Sequence, residues 1–404
     1  MGGGIMAVVI NGTTGIDTIQ DGTVSTAKIV ADAVTTPKIA ETVNLGRRNL
    51  VTNGEMQICQ RDSGVSGVTS TAYHVCDRWL NVINIGTWSI TRQGPANAPN
   101  EFSNSLQYDC TTSASLSAGS ELILAQRWEG QDLQHLKFGH SDAQSLTLSF
   151  WVYSSKTGTY TVEFDQYGDR QISQSYTIDS ANTWEKKTIT VSGDVSGSID
   201  NDNTAEFQVL FWLAAGSNLT SGTFNNSAWA SVTTANRVHP SQVNLADSTN
   251  NLFRITGIQL ETGDTATPYE HIPKGDTYQR CLRYFFSSIR DENGVDRARR
   301  AFWMGHGTGN YLGAGMATFP AVMRTSPTCV PWRYSLNASS NQQGSGASGG
   351  IMYYNNQDFT HTYGYGVKAE NWGIVGINCG ENTTNGRASD NSHLMCGITA
   401  SAEL

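Results

Sequence analysis

Between residues 45 and 275, apolar side chains fall on alternate positions in short runs. Each run is closed by Gly, Asn, Ser or Thr. Leu146-Thr-Leu-Ser-Phe-Trp-Val-Tyr153 is one of them, and a period of two is the signature of a strand. Residues 159–164 follow it after Lys156-Thr-Gly, a hairpin signal. Trp184, Ile189 and Val191 alternate with charge and threonine. Residues 207–213 are apolar at nearly every position, as in a strand buried on both faces for part of its length. In 253–260, Phe253, Ile255 and Ile258 or Leu260 point inward, with a break at Gly257 that suits a bulge. Residues 120–135 fit a helix or a strand equally well. The pattern predicts an all-β, jelly-roll-like sandwich over residues 45–275.

The same texture continues through 276–404 and predicts a C-terminal β-sandwich knob. Strands are expected at 281–289, 302–305, 311–319, 329–336, 351–354, 372–378 and 394–400. Two loops are expected at 337–350 and 355–371, the first of them Gly/Ser-rich. Residues 1–44 differ. Asp21-Gly-Thr-Val-Ser-Thr-Ala-Lys-Ile-Val is followed by Ala31-Asp-Ala-Val-Thr-Thr-Pro-Lys-Ile-Ala, a repeat of period ten. Two such units bury too little to fold alone. They form either an anchor or stalk, in which Val24, Ile29, Val34 and Ile39 face a symmetry axis between chains, or a disordered arm.

Composition narrows the function classes. Charged residues make up 15% of the 404, and the net charge is −9, which gives no electrostatic case for nucleic acid. Arg290, Arg297, Arg299 and Arg300 are interleaved with Asp291, Glu292 and Asp296 and read as a solvated loop. No apolar run reaches the ~18 residues of a membrane helix. The N-terminus lacks a basic, signal-like segment, so synthesis in a cytoplasm without a cleaved leader is expected. Seven widely spaced cysteines give neither a disulfide framework nor a zinc site, and buried free thiols are the default.

Catalytic motifs are lacking. Gly305-His-Gly-Thr-Gly-Asn310 reads as a turn, and the eight histidines are dispersed. Asp165, Asp169, Glu185, Asp200 and Asp202 are carboxylates that a fold can pair for glycoside hydrolysis. The acidic stretch 194–202 is flexible enough for calcium but has no ligand spacing. No cofactor or metal is expected, nor any catalysis.

What the chain does offer is aromatic side chains in polar surroundings, the mixture that suits sugar rings. Trp79, Trp151, Trp184 and Trp212 lie within strand patterns and are assigned to the core. Trp332, Tyr353, Tyr354, Tyr363, Tyr365 and Trp372 stand near loops, where glycan binding and packing are both open.

Two motifs carry a resemblance. Asn49-Leu-Val-Thr-Asn-Gly-Glu-Met-Gln-Ile-Cys-Gln-Arg61 followed by Tyr73-His-Val-Cys-Asp-Arg-Trp79 resembles the opening of the carbohydrate-module-like sandwich in tailed-phage fibre proteins. Residues 146–155, 176–191 and 255–270 are similar to its central and closing strands. Residues 278–285, 319–328 and 402–404 are similar to the C-terminal fibre domain, and the decads to stalk repeats. Cys59 stands where the family usually has Trp, which removes this position from any stacking role. The resemblance implies a homotrimeric virion fibre that attaches to a host-surface glycan, with its N-terminus on other tail or capsid proteins and no membrane insertion. A tail fibre without catalysis is the first expectation. A capsid-anchored head fibre or decoration protein with weak glycan adhesion is the alternative, and a glycan-degrading tailspike the third. If residues 1–44 anchor the fibre, the reader is expected distally, in 276–404.

Overall fold

The computed structural model describes residues 47–295, 302–306, 315–325, 327–333, 342–343, 352–353, 364–370, 374–380 and 393–404, with side chains for 47–295, 319–325, 327–328 and 399–404. The chain divides into two compact units, Met1–Arg47 and Arg48–Leu404. Val24, Ile29, Val34 and Ile39 lie outside the described residues.

The second unit is mostly β. Its sandwich is made of β1 (Gly64–Val68), β2 (Leu80–Ile83), β3 (Thr87–Gln93), β4 (Ser105–Thr112), β5 (Glu121–Glu129), β6 (Leu146–Ser154), β7 (Gly158–Asp165), β8 (Arg170–Ile178), β9 (Glu185–Val191), β10 (Ala205–Ala215), β11 (Ala230–Ser231) and β12 (Leu252–Thr262). Two six-stranded sheets result, ordered β1-β3-β4-β12-β6-β9 and β11-β8-β7-β10-β5-β2. Strand neighbours in both run antiparallel.

The alternation of residues decides what lies between the sheets. Leu146, Leu148, Phe150 and Val152 point inward from β6, with Phe253 and Ile255 from β12 and Trp88 and Ile90 from β3. Tyr160, Val162 and Phe164 from β7 and Phe207, Val209 and Phe211 from β10 meet them. The Phe150 and Phe211 rings stand edge to face at 5.1 Å. A second, smaller cluster forms on the outer side of the β10 sheet. There Leu80, Ile123, Leu210 and Trp212 are roofed by Leu219 and Val238. This is why 207–213 is apolar in both phases. Residues 120–135 resolve as a strand, β5, followed by single helical turns. Leu122 and Leu124 face the main core while Ile123 and Ala125 face the smaller cluster, so β5 too is apolar in both phases.

The expectation of a strand over 281–289 is corrected: Lys274–Leu282 is a helix, and only Phe285–Ser287 is extended. Thr277 and Cys281 lie one turn apart and are buried together, so helical spacing carries the burial. Farther along, strands Phe302–His306, Thr328–Arg333, Gln342–Gln343 and Met352–Tyr353 join Phe285–Ser287 in a sheet built on His393–Ser401. Gly315–Thr318, Ile374–Gly380 and Gly364–Glu370 form a separate three-stranded sheet. The last of these occupies residues that the sequence assigned to a loop.

The two sequence motifs are structural. Asn53 takes a positive φ of 62°. Its amide donates to the carbonyls of Ile58 and Asp77 at 2.8 and 3.0 Å and accepts from the Ile58 N–H at 3.0 Å. At Gly54 a Cβ would meet the Ile258 carbonyl at 2.2 Å, so no larger residue fits. Trp79 is buried and donates its indole N–H to the Asn53 carbonyl at 3.0 Å. The Asp77 carboxylate accepts from Gln60 Nε2 at 2.6 Å and from Arg61 Nη1 at 3.3 Å. Gln60 Nε2 also donates to the Phe285 carbonyl at 2.9 Å.

Together these residues clasp the 399–404 segment. Arg61 and Arg78 grip Glu403 at 3.0 and 2.5 Å, and both side chains of the second pair are almost fully buried. The two guanidinium groups lie over the rings of Phe285 and Tyr284 at 3.7 and 3.4 Å, a cation–π arrangement. Tyr73 and Arg127 donate to the Leu404 carbonyl at 3.0 and 2.8 Å. Arg324 donates to the carbonyls of Ala402 and Glu403 at 2.8 and 3.0 Å.

Two outcomes follow. Arg78→Ala leaves Glu403 with one fewer cation in a dry site and is expected to destabilise the fold by about 3–5 kcal/mol. Arg78→Ala combined with Glu403→Ala recovers part of that loss in a double-mutant cycle read by urea unfolding. Strict additivity of the two single variants would refute the coupling. Gly257 has a φ of +60°, and a Cβ there would meet Phe102 Cζ at 2.4 Å. Gly257→Ala is therefore expected to lower the urea midpoint by about 1–3 kcal/mol of stability, with the slope unchanged.

Candidate functional site

Trp79 and Trp212 are core residues, at 1% and 0% exposure. Trp151 and Trp184 are not, which corrects their assignment. With Leu146, Leu148, Phe150 and Val152 turned inward, residues 147, 149, 151 and 153 must face away from the core. The outer face of this sheet is divided. Near Thr147, Ser149, Gln259 and Glu261 it is covered by the segment after β12. Thr267 Oγ1 donates to Glu261 at 2.7 Å, and Glu270 N–H donates to Gln259 Oε1 at 2.8 Å. Among the described residues, the face is open beyond that strap, and Trp151, Tyr153 and Trp184 are half-buried there.

Register places these rings together. Trp151 sits opposite Lys186 on β9 and Thr256 on β12, and Tyr153 sits opposite Arg254. Tyr153 and Trp184 ring centroids are 5.6 Å apart at 53°. Arg254 lies over the Tyr153 ring at 4.8 Å and donates through Nε to Gln107 Oε1 at 2.5 Å. Gln107 in turn donates to Asp109. The face thus runs from an aromatic half to a polar half, Arg254–Gln107–Asp109, held by its own hydrogen bonds. The connection between β3 and β4 walls one side, since Thr256 Oγ1 donates to the Asn104 carbonyl at 2.7 Å. Among the described residues, neither indole N–H of Trp151 and Trp184 nor the Tyr153 hydroxyl has a protein acceptor. Three ring faces and three unused donors are what a hydrated, hydroxyl-rich ligand can use.

The carboxylates that could support hydrolysis are arranged otherwise. Glu163 and Asp165 do share a face, two residues apart on β7, and both are buried. Glu163 accepts from Arg237 Nε at 2.8 Å and from the Trp212 indole at 2.9 Å. Asp165 accepts from Gln208 Nε2 at 2.9 Å and from Gly168 N–H at 2.6 Å. All four oxygens are engaged by these donors. Glu185 is tied to Lys187 at 2.6 Å. Asp202 accepts from its neighbour Thr204. Asp194, the first acid of the stretch considered for calcium, is held by Arg170 at 2.5 Å and by Gln166 at 2.6 Å.

Of the six loop aromatics proposed from sequence, Tyr354, Tyr363 and Trp372 lie outside the described residues. Trp332 and Tyr353 are placed by backbone on the sheet of His393–Ser401, opposite Gly397 and Leu394. Tyr365 is placed on the separate three-stranded sheet, opposite Cys379. Arg290, from the charged loop, pairs with Asp62 at 2.9 Å. The open-face trio was missed because Phe150-Trp-Val-Tyr153 is apolar in both phases. The phase set by Leu146 and Leu148 is the signal that identifies it.

Burial, opposed by Arg61 and Gln60, raises the Asp77 carboxyl to about 6. Burial, opposed by Arg237, raises Glu163 to about 7. Both folded values lie above the unfolded range near 4, so both groups add stability below about pH 4. That contribution is lost as pH rises through about 6 and 7. His135 is lowered by burial and acts in the opposite sense. Glu163→Gln is therefore expected to flatten the fall in melting temperature between roughly pH 4 and 7. An identical pH profile in the two proteins would contradict this assignment.

No protein-family model and no curated protein sequence matches the chain. Among solved structures, it resembles the enzymatically active domain of bacteriophage CBA120 tailspike protein 4 at 13% identity and a TM-score of 0.27, over 53% of this chain. The chain spans about a fifth of that protein, 21% of its length. A putative sugar binding protein from Bacteroides thetaiotaomicron is 11% identical with a TM-score of 0.29, over 54% of this chain and 100% of that one. A family 11 carbohydrate-binding module from Clostridium thermocellum is 12% identical with a TM-score of 0.24, over 50% of this chain and 99% of that one.

Proposed function

We propose that this chain is a virion fibre protein of the tailed-phage type that attaches to a host-surface glycan without cleaving it. The open face of the β1-β3-β4-β12-β6-β9 sheet is its reader. The observation that carries this reading is the half-buried trio Trp151, Tyr153 and Trp184, with unused donors beside a hydrogen-bonded Arg254–Gln107–Asp109 row. Large rings on a solvent-facing sheet add little to the core. They can stack on the C–H faces of sugars while the polar row takes hydroxyls. The fibre is a homotrimer joined through the 21–40 decads, with its N-terminal segment on another tail or capsid protein.

The burial and full engagement of Glu163 and Asp165 support binding rather than hydrolysis. Tail attachment is favoured over a capsid decoration because a reader built into the sandwich suits a receptor-binding organ.

Titration of the trimer with oligosaccharides from the host envelope tests the face. Trp151→Ala and Tyr153→Ala are expected to weaken binding about tenfold or more, with melting temperatures near wild type because neither ring sits in the core. Trp79→Ala serves as the contrast: it should cost about 3–5 kcal/mol of stability. Unchanged affinity in both face variants would sink this reader and return attention to Trp332 and Tyr353. Incubation with the intact polysaccharide is expected to release no reducing ends. Light scattering of the full chain should give three copies.

A further inference from the structure

We propose that Cys59 and Cys76 are a latent cross-link, two thiols that join as a disulfide in an oxidising medium and staple the 53–61 loop to the 72–79 turn. Their Sγ atoms stand 3.0 Å apart, and both residues are buried, at 0% and 1% exposure. Each lies on a segment already fixed by other bonds. Asp77 N–H donates to the Ile58 carbonyl at 2.9 Å, and Cys59 N–H donates to the Glu292 carbonyl at 2.9 Å. Gln60 N–H donates to Asp77 Oδ1 at 3.1 Å, and the Asn53 amide holds both the Ile58 and Asp77 carbonyls. The sulfurs are thus brought together by the backbone before any bond forms. Closing to the ~2 Å of a disulfide asks for a small shift of two side chains, not of the chain.

The pairing is selective among the described cysteines. Cys110 and Cys281 are also buried and free. Cys110 Sγ meets backbone atoms, the Ala246 carbonyl at 3.9 Å and the Thr112 backbone, and no sulfur among the described residues. Cys281 lies near enough to Cys59 to feel its charge, but among the described residues only Cys59 and Cys76 bring two sulfurs to contact distance. Burial pushes the Cys76 thiol well above its ordinary value, so while it is buried it is a poor thiolate nucleophile. Oxidation then waits on local opening and on an oxidant of the small-molecule disulfide class. One thiol, as thiolate, attacks that disulfide, giving a mixed disulfide and releasing one small thiol. The second thiol then displaces the other small thiol. The protein loses two protons and two electrons, and the oxidant gains both as its S–S bond breaks. The link lies directly beneath Gln60, Arg61, Asp77 and Arg78, so it would restrain the clasp on 399–404.

Oxidised and reduced glutathione mixtures test this on the full chain, with remaining thiols alkylated after denaturation. Trypsin cuts after Arg48, Arg61 and Arg78, so Cys59 and Cys76 fall in separate peptides, 49–61 and 62–78. The expected result is one linked pair of these two peptides in the oxidised sample, released by reductant. The oxidised protein should also melt at a higher temperature than the reduced one. Cys59→Ser should show neither the link nor the oxidant-dependent shift. The mapping of the wild-type chain decides the matter even if that variant folds poorly. Full alkylation of both cysteines at glutathione potentials that oxidise ordinary protein dithiols, or a link from either one to a different cysteine, would overturn the proposal.

Discussion

In a sandwich of two sheets, each strand has one side for the core and one for everything else, and this constraint orders the rest of the molecule. Once Leu146, Leu148, Phe150 and Val152 fill the inner side of β6, the positions between them are committed outward whatever their chemistry. Outward residues escape solvent only where another segment covers them. The strap around Thr267 covers Thr147 and Ser149, and the Leu219–Val238 roof covers Trp212. Among the described residues, nothing comparable covers Trp151, Tyr153 and Trp184. Their size makes that exposure costly for a side chain without another task, since an exposed ring gives up about 25 cal/mol for each Å² it fails to bury. A feature that the fold does not need is the place to look for a feature that binding does need.

The clasp on 399–404 is a second consequence of the same economy of positions. The segments flanking the short strands β1 and β2 have few ladder partners, so their geometry is set by side chains instead. Asn53, Gln60 and Asp77 satisfy the backbone there, and Arg61 and Arg78 turn the resulting pocket cationic. Two arginines in a nearly dry site require a carboxylate, and Glu403 supplies it. The aromatic lids Tyr284 and Phe285 come from just beyond the Lys274–Leu282 helix. The sandwich and the segments near residues 285 and 403 are thereby one electrostatic unit. Motif residues that carry the family resemblance in sequence are in this chain the ligands of its own backbone and C-terminal segment.

How much was legible depends on whether local pattern or distant cover decided the outcome. The strands of the sandwich were legible because alternation is local, and the Gly257 break appears as a register shift between Thr256 and Gln259. The helix at Lys274–Leu282 was hidden because Leu282 and Tyr284 to Phe286 continue its apolar run into a strand, and only the Thr277–Cys281 spacing marks the turn. The pairing of Glu163 with Asp165 follows from their spacing on β7. Their burial does not, because it is imposed by Arg237 from more than seventy residues away. The open face was illegible for a similar reason. Trp151 looks the same in sequence as Trp212, and the difference lies in which one a later loop happens to roof.

If the open face reads a glycan, as proposed, its three rings cannot enclose a sugar, and this sets the kind of recognition it would perform. Each hydroxyl bound gives up well-ordered water, so the net gain per site is small however many contacts form. A deep pocket would recover more by excluding solvent, but it would need the outer side of a sheet to be walled all round. Here the β3–β4 connection walls only one side. Such a shallow reader has two compensations. Its rings are fixed by neighbours, Tyr153 between Trp184 and Arg254, so little freedom is lost on binding. An open groove also accepts an internal stretch of a long chain, which a closed pocket does not. Repeating glycans present many such stretches, and under the proposed function several copies of the face on one fibre would convert weak contacts into durable attachment through effective concentration. On the proposed function, shallow geometry and multiple copies are two sides of one solution, and hydrolysis would work against it by cutting the surface that is held.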